Sequence, residues 1–104
     1  MIKVEFTRNK QNEIIKVKVS GHSGYDDIGK DIVCSAVSTA MYVTIGILQK
    51  INQDMKYFEN EKEAIMQIEL IKTDKFTNNV MDNLQEVLES IANDYPDFIQ
   101  INLK

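Results

Sequence analysis

Two side chains in this sequence suit covalent chemistry, and each is the only one of its type: His22 and Cys34. A thiolate is a strong nucleophile, and an imidazole can take the thiol proton and pass it to a leaving group. A free thiol titrates at about pH 8.5, so near neutrality it needs a helix N-terminus or a protonated imidazole to favour the anion. Both aids are available in principle. Asp31 stands just before an apolar-periodic run and reads as a helix N-cap, which puts Ile32, Val33 and Cys34 in the first turn. His22 ends a strand pattern, and a loop containing Gly24 and Gly29 leads from it back to that turn. A loop of this length can bring its ends together.

The pair implies acyl-transfer chemistry. Cys34 would attack a carbonyl, His22 would serve as base and then acid, and unpaired N–H groups at the helix start would stabilise the oxyanion. Asp31 has two possible tasks: capping the helix or holding the imidazole. As a cap, its charge opposes the thiolate. Ser38, one turn beyond Cys34, could point to the same side as a site hydrogen-bonding group or as ordinary helix packing.

Blander readings fit the same residues. A lone cysteine in an apolar helix suits a small buried hydrophobe, and a histidine after a strand suits a structural role. That reading is a non-catalytic protein-binding module with a structural Cys and His. A redox role lacks a resolving cysteine in the chain. Asp26 and Asp27 suit solvated loop carboxylates; with His22 and Cys34 they would make an unusual zinc ligand set. Neither a metal nor a cofactor is expected. Gly21, Gly24 and Gly29 do not have phosphate-loop or dinucleotide spacing.

The elements that must position this stretch follow from hydropathy periods. Ile2, Val4 and Phe6 alternate with polar residues over 2–8, and Ile15, Val17 and Val19 do so over 13–20. With the turn cluster at 9–12 they read as an antiparallel hairpin. A helix follows from Ile32 to Lys50 or Gln53, apolar on much of its circumference and so suited to a core or a subunit interface. Residues 55–58 and 64–71 read as a second hairpin around a charged turn at 59–63. Thr73 or Asp74 caps a second, amphipathic helix running through Phe76, Val80, Met81, Leu84, Val87, Leu88, Ile91 and Tyr95. Pro96 stops it, and 98–103 is a last strand. The expected fold is α+β, a single domain over 1–104 in the order ββαββαβ, with an antiparallel or mixed sheet packed with two helices.

Bulk properties exclude some partners. A chain of 104 residues with 43% hydrophobic and 27% charged residues suits one globular core. The formal net charge of −4 argues against direct nucleic-acid binding. The apolar run from Ile32 to Leu48 is interrupted by Ser35, Ser38, Thr39, Thr44 and Gly46, so a membrane span is not expected. The charged, alternating amino terminus is no signal peptide, and a single thiol suits a reducing, cytoplasmic compartment.

The wording of the central stretch is more specific than its chemistry. Gly21-His22, a glycine-containing loop, and Gly29-x-Asp31-Ile32-Val33-Cys34-x-Ala36-Val37-Ser38 resemble the motif of the ribosomal-processing cysteine protease family, Prp. The element order and chain length are similar to that family throughout. The resemblance implies a catalytic dyad of His22 and Cys34, with Asp31 and Ser38 supporting it and Gly21 and Gly29 bracketing a mobile loop. It also implies a cytoplasmic homodimer that removes the short N-terminal extension of bacterial large-subunit ribosomal protein L twenty-seven. Ser23 and Ser35 depart from the family by standing where alanine is frequent. No role carries over to Tyr25, Asp26 or Asp27.

Overall fold

Alternation in the first residues dictates a half-buried strand, and β1 (Ile2–Arg8) buries Ile2, Val4 and Phe6 while Lys3 faces water. The computed structural model describes residues 1–27, 31–51 and 54–103. β2 (Ile14–Ser20) pairs antiparallel with β1, Val4 opposite Val19 and Phe6 opposite Val17. At the turn end the register shifts between Thr7 and Arg8. The irregularity reverses which side chains point inward, so Ile14 enters the core in place of the expected Ile15. The intervening turn is held by Asn9 Oδ1, which accepts the N–H groups of Gln11 and Glu13 at 3.0 Å each.

After α1 (Ile32–Ile51) come β3 (Met55–Asn60) and β4 (Ile65–Leu70), then α2 (Lys75–Asp94) and β5 (Ile99–Leu103). The strands lie in the order β3-β4-β2-β1-β5. All neighbours are antiparallel except β1 and β5, which run parallel, so the sheet is mixed. The ββαββαβ order and the α+β class are those expected from the sequence. β3 extends to Asn60, two residues further than its apolar signal, because each added residue finds a partner on β4.

The core lies between the sheet and the helices. Val4, Val17 and Ile68 from the strands, Val37, Met41 and Leu48 from α1, and Met81, Leu84 and Leu88 from α2 share one cluster. Each large side chain fully buried there contributes roughly 1.5–3 kcal/mol relative to exposure. α2 opens with a reciprocal cap: Asp74 accepts the Thr77 N–H, and Thr77 Oγ1 accepts the Asp74 N–H. Phe76 is 70% exposed, because the buried stripe of α2 begins one residue later at Thr77.

α1 corrects one expectation. The helix continues past Leu48 to Ile51 and is long and apolar enough to cross a membrane by length and composition. Six of its residues nevertheless form one buried face against the sheet and α2. Its other faces leave Ile32, Val43, Ile47 and Ile51 exposed.

Candidate active site

The site begins where β2 ends. Gly21 has φ +87, and a Cβ there would stand 2.6 Å from the carbonyl oxygen of Met1. Only glycine tolerates both conditions without strain. The Gly21 N–H donates to the Ala64 carbonyl at 3.0 Å. The exit of β2 is thereby pinned between the start of β1 and the β3–β4 hairpin. His22 follows directly and is exposed.

The other half of the site is the start of α1. Asp31 is buried and caps the helix: its Oδ1 accepts the N–H groups of Val33 and Cys34, each at 3.0 Å. Its backbone carbonyl accepts the Ser35 N–H at 3.1 Å. The Ser23 hydroxyl donates to Oδ2, and the Asp26 N–H also donates to the carboxylate. Burial alone would raise the Asp31 pKa. The hydrogen bonds from Ser23, Cys34, Asp26 and Val33 outweigh it and hold the carboxyl down at about 2. These contacts make Asp31 a cap. They also overturn the expectation that the helix-start N–H groups are unpaired oxyanion donors, because those of Val33 and Cys34 already serve the carboxylate.

Cys34 is a half-buried free thiol. Its Sγ accepts the backbone N–H of Ser23 at 3.4 Å. The peptide unit joining His22 to Ser23 therefore lies against the sulfur, and His22 is one residue from the contact. Ser23 itself is buried, and its Oγ accepts the Tyr25 N–H at 3.1 Å. Tyr25 sets its ring edge-on against two others. Its centroid lies 5.6 Å from that of Tyr95, beyond the end of α2, and 5.2 Å from that of Phe98, just before β5. Among the described residues of the loop, Tyr25 and Ser23 thus tie it to the body. Gly29 lies outside the described residues.

His22, Cys34 and Ser38 line two clefts in common. One, of about 270 Å³, has an apolar floor that includes Val19, Val37 and Met66, and a rim of Glu59, Asn60 and Glu61. The other, of about 360 Å³, is bounded by Asp26, Asp31, Ser35, Thr39 and Tyr42. The Tyr42 hydroxyl donates to Glu59, linking a residue of one cleft to a residue of the other. That bond, together with burial, raises the Tyr42 pKa; burial foremost, then Glu59, pushes the Tyr57 hydroxyl far up. Among the described residues no three His, Cys, Asp or Glu side chains gather as a metal ion requires.

Sequence reading overlooked the roles of Ser23 and Tyr25 and the contribution of the β3–β4 turn to a cleft. The strongest local hint was Ser23 beside the only histidine. The partners of Tyr25 lie far away along the chain, so no spacing rule connects them.

Comparison with known proteins gives a family and a fold. The family described as cysteine protease Prp matches residues 1–100. The ribosomal processing protease Prp from S. aureus, in complex with a covalently linked product peptide, is similar in fold with a TM-score of 0.93 at 20% identity, covering 100% of both chains. The same protease with a substrate peptide gives a TM-score of 0.89, also at 20% identity and full coverage of both. SMU.848 from Streptococcus mutans gives a TM-score of 0.81 at 25% identity, covering 99% of this chain and 93% of the other. No curated protein matches by sequence. Matched over nearly its whole length, this chain belongs to the cysteine protease Prp family and is a cysteine protease.

Proposed function

We propose that Cys34 is the nucleophile and His22 its acid–base partner in an endopeptidase that trims the N-terminal extension of bacterial large-subunit ribosomal protein L twenty-seven. The observation that carries the dyad is the hydrogen bond from the Ser23 N–H to Cys34 Sγ at 3.4 Å, which brings the backbone of the only histidine beside the only thiol. The substrate reading is supported by the S. aureus relative, a ribosomal processing protease bound to substrate and product peptides.

The chemistry follows from the placement. The Cys34 thiol gives its proton to His22, and the thiolate adds to the scissile carbonyl. His22 then protonates the departing amine, leaving an acyl-enzyme. Water, deprotonated by His22, adds to the thioester, and the new carboxylate leaves as the thiol re-forms. With the Val33 and Cys34 N–H groups engaged by Asp31, the oxyanion has to draw on donors outside the helix start. Asp31 supports the site by fixing the start of α1, and Ser38 by lining both clefts beside the nucleophile. The apolar cleft suits apolar and aromatic side chains next to the cut.

The exposed apolar side chains on α1, among them Val43, Ile47 and Ile51, favour a second copy of the chain as partner, giving a homodimer. A ribosomal substrate would favour a cytoplasmic enzyme.

The test is incubation with the precursor of the host's own L twenty-seven, read by intact mass. Wild type releases the extension as a single fragment, and Cys34→Ala and His22→Ala do not. Cleavage by either variant at the wild-type rate sinks the dyad, and an uncut precursor with an active wild type on other peptides sinks the substrate.

A further inference from the structure

We infer that Ser23 is a positioning residue for the nucleophile, coupling the loop after β2 to the start of α1. The inference rests on Cys34 being the nucleophile. It goes beyond the family resemblance, in which alanine is frequent at this position and supplies no hydroxyl.

Ser23 is 4% exposed and takes part in three contacts of different kinds. Its N–H donates to Cys34 Sγ at 3.4 Å. Its hydroxyl donates to Asp31 Oδ2, while the other oxygen of that carboxylate holds the N–H of Cys34 at 3.0 Å. The same hydroxyl oxygen accepts the N–H of Tyr25 at 3.1 Å, whose ring stands against Tyr95 and Phe98. The result is a closed circuit: Ser23 to Asp31, Asp31 to the Cys34 backbone, Cys34 Sγ back to Ser23.

Each link acts on the thiolate. The N–H contact stabilises negative charge on sulfur directly. The hydroxyl polarises the Asp31 charge toward itself, away from the helix start where it opposes the thiolate. It also fixes the distance between the loop and the cap, which keeps the Ser23 N–H aimed at sulfur. Without the hydroxyl, Asp31 still caps α1, but its tie to the loop is reduced to the backbone N–H of Asp26. The thiol then meets substrate in a broader range of positions, and precise placement is worth much of a rate.

The experiment uses Ser23→Ala and Ser23→Thr in the full chain. Alkylation of Cys34 by iodoacetamide at neutral pH needs no substrate, and kcat and KM are measured on a peptide bearing the precursor's extension. Removing one hydrogen bond to a charged group should slow both alkylation and kcat about tenfold. KM should stay within about twofold, and Ser23→Thr should restore most of both rates. Alkylation and kcat of Ser23→Ala within about twofold of wild type overturn the inference, as does a loss that threonine repairs in neither assay. A lower unfolding midpoint with both rates retained also overturns it. Alanine is the family's common residue here, so the fold accommodates it. If Cys34→Ala still cuts the peptide, the nucleophile assignment fails, whereas the alkylation comparison still reports on Ser23.

Discussion

Asp31 Oδ1 accepts the backbone N–H of Cys34 at 3.0 Å, so the residue that carries the thiol is hung from the residue that closes the loop. Stability and reactivity therefore meet at one carboxylate. Asp31→Ala should cost about 1 kcal/mol of stability, the usual loss for an N-cap. Asp31→Asn should recover part of it, because asparagine caps comparably. Urea unfolding of the three proteins measures the order, and equal midpoints for wild type and alanine would refute the cap.

The same carboxylate sets a pH dependence. Its folded pKa of about 2 lies below the ordinary 3.8, so the unfolded chain binds the proton more readily. The stabilisation is complete above about pH 4 and is lost as pH falls toward 2. The stability gap between wild type and Asp31→Ala should be constant from neutrality down to that point and narrow below it. Unfolding midpoints at a series of acid pH values check this; a gap that persists undiminished at the acid end contradicts it.

Gly21 makes a steric prediction. Gly21→Ala must relieve both φ +87 and a 2.6 Å approach to the Met1 carbonyl oxygen, which is backbone and cannot swing aside. A loss of roughly 1–3 kcal/mol is expected. Cleavage should fall further than in a surface control of equal stability, because the backbone that moves carries His22. Thermal unfolding and peptide cleavage, measured together, separate the two effects.

The Tyr25 side chain anchors its segment through ring-edge contacts with Tyr95 and Phe98, so aromaticity should matter more than the hydroxyl. Tyr25→Phe should cleave near the wild-type rate, and Tyr25→Ala should lose activity several-fold with little change in the unfolding of the core. An alanine variant as active as wild type would show that the contacts with Tyr95 and Phe98 do not shape the site.

At the alkaline end, burial and Glu59 hold the Tyr57 hydroxyl neutral well beyond its ordinary pKa of 10.0. The unfolded chain loses that proton first, so stability should decline as pH rises above about 10. Tyr57→Phe should show a shallower alkaline decline in melting temperature than wild type. Parallel declines would remove Tyr57 as the cause.

What could be read in the sequence depended on the range of the interaction. Alternation over Ile2, Val4 and Phe6 and the spacing of Met81, Leu84 and Leu88 report local geometry, and these residues are buried as their periods imply. Asp31 as a cap was legible for the same reason: it contacts residues two and three positions on. Ile15 was misplaced because the irregularity near Arg8 depends on how two strands pair. Ser23 and Tyr25 were opaque because their partners arrive from the next helix and from the far end of the sheet. The helix-start N–H groups were misjudged in a different way. A cap that is good enough to predict also occupies the donors it satisfies.

The parallel pairing of β1 with β5 has a consequence for the order of assembly. The strand made first is flanked on one side by the strand made after α2, and Phe98, against which Tyr25 rests, comes just before that strand. During synthesis the loop, the thiol and the cap all emerge earlier than this support. A nascent chain that has reached only the middle of α2 lacks Tyr95 and Phe98, and its β1 edge is bare. The loop around the thiol therefore gains its full aromatic support only once Tyr95 and Phe98 have been made, and β1 gains its second neighbour only with β5.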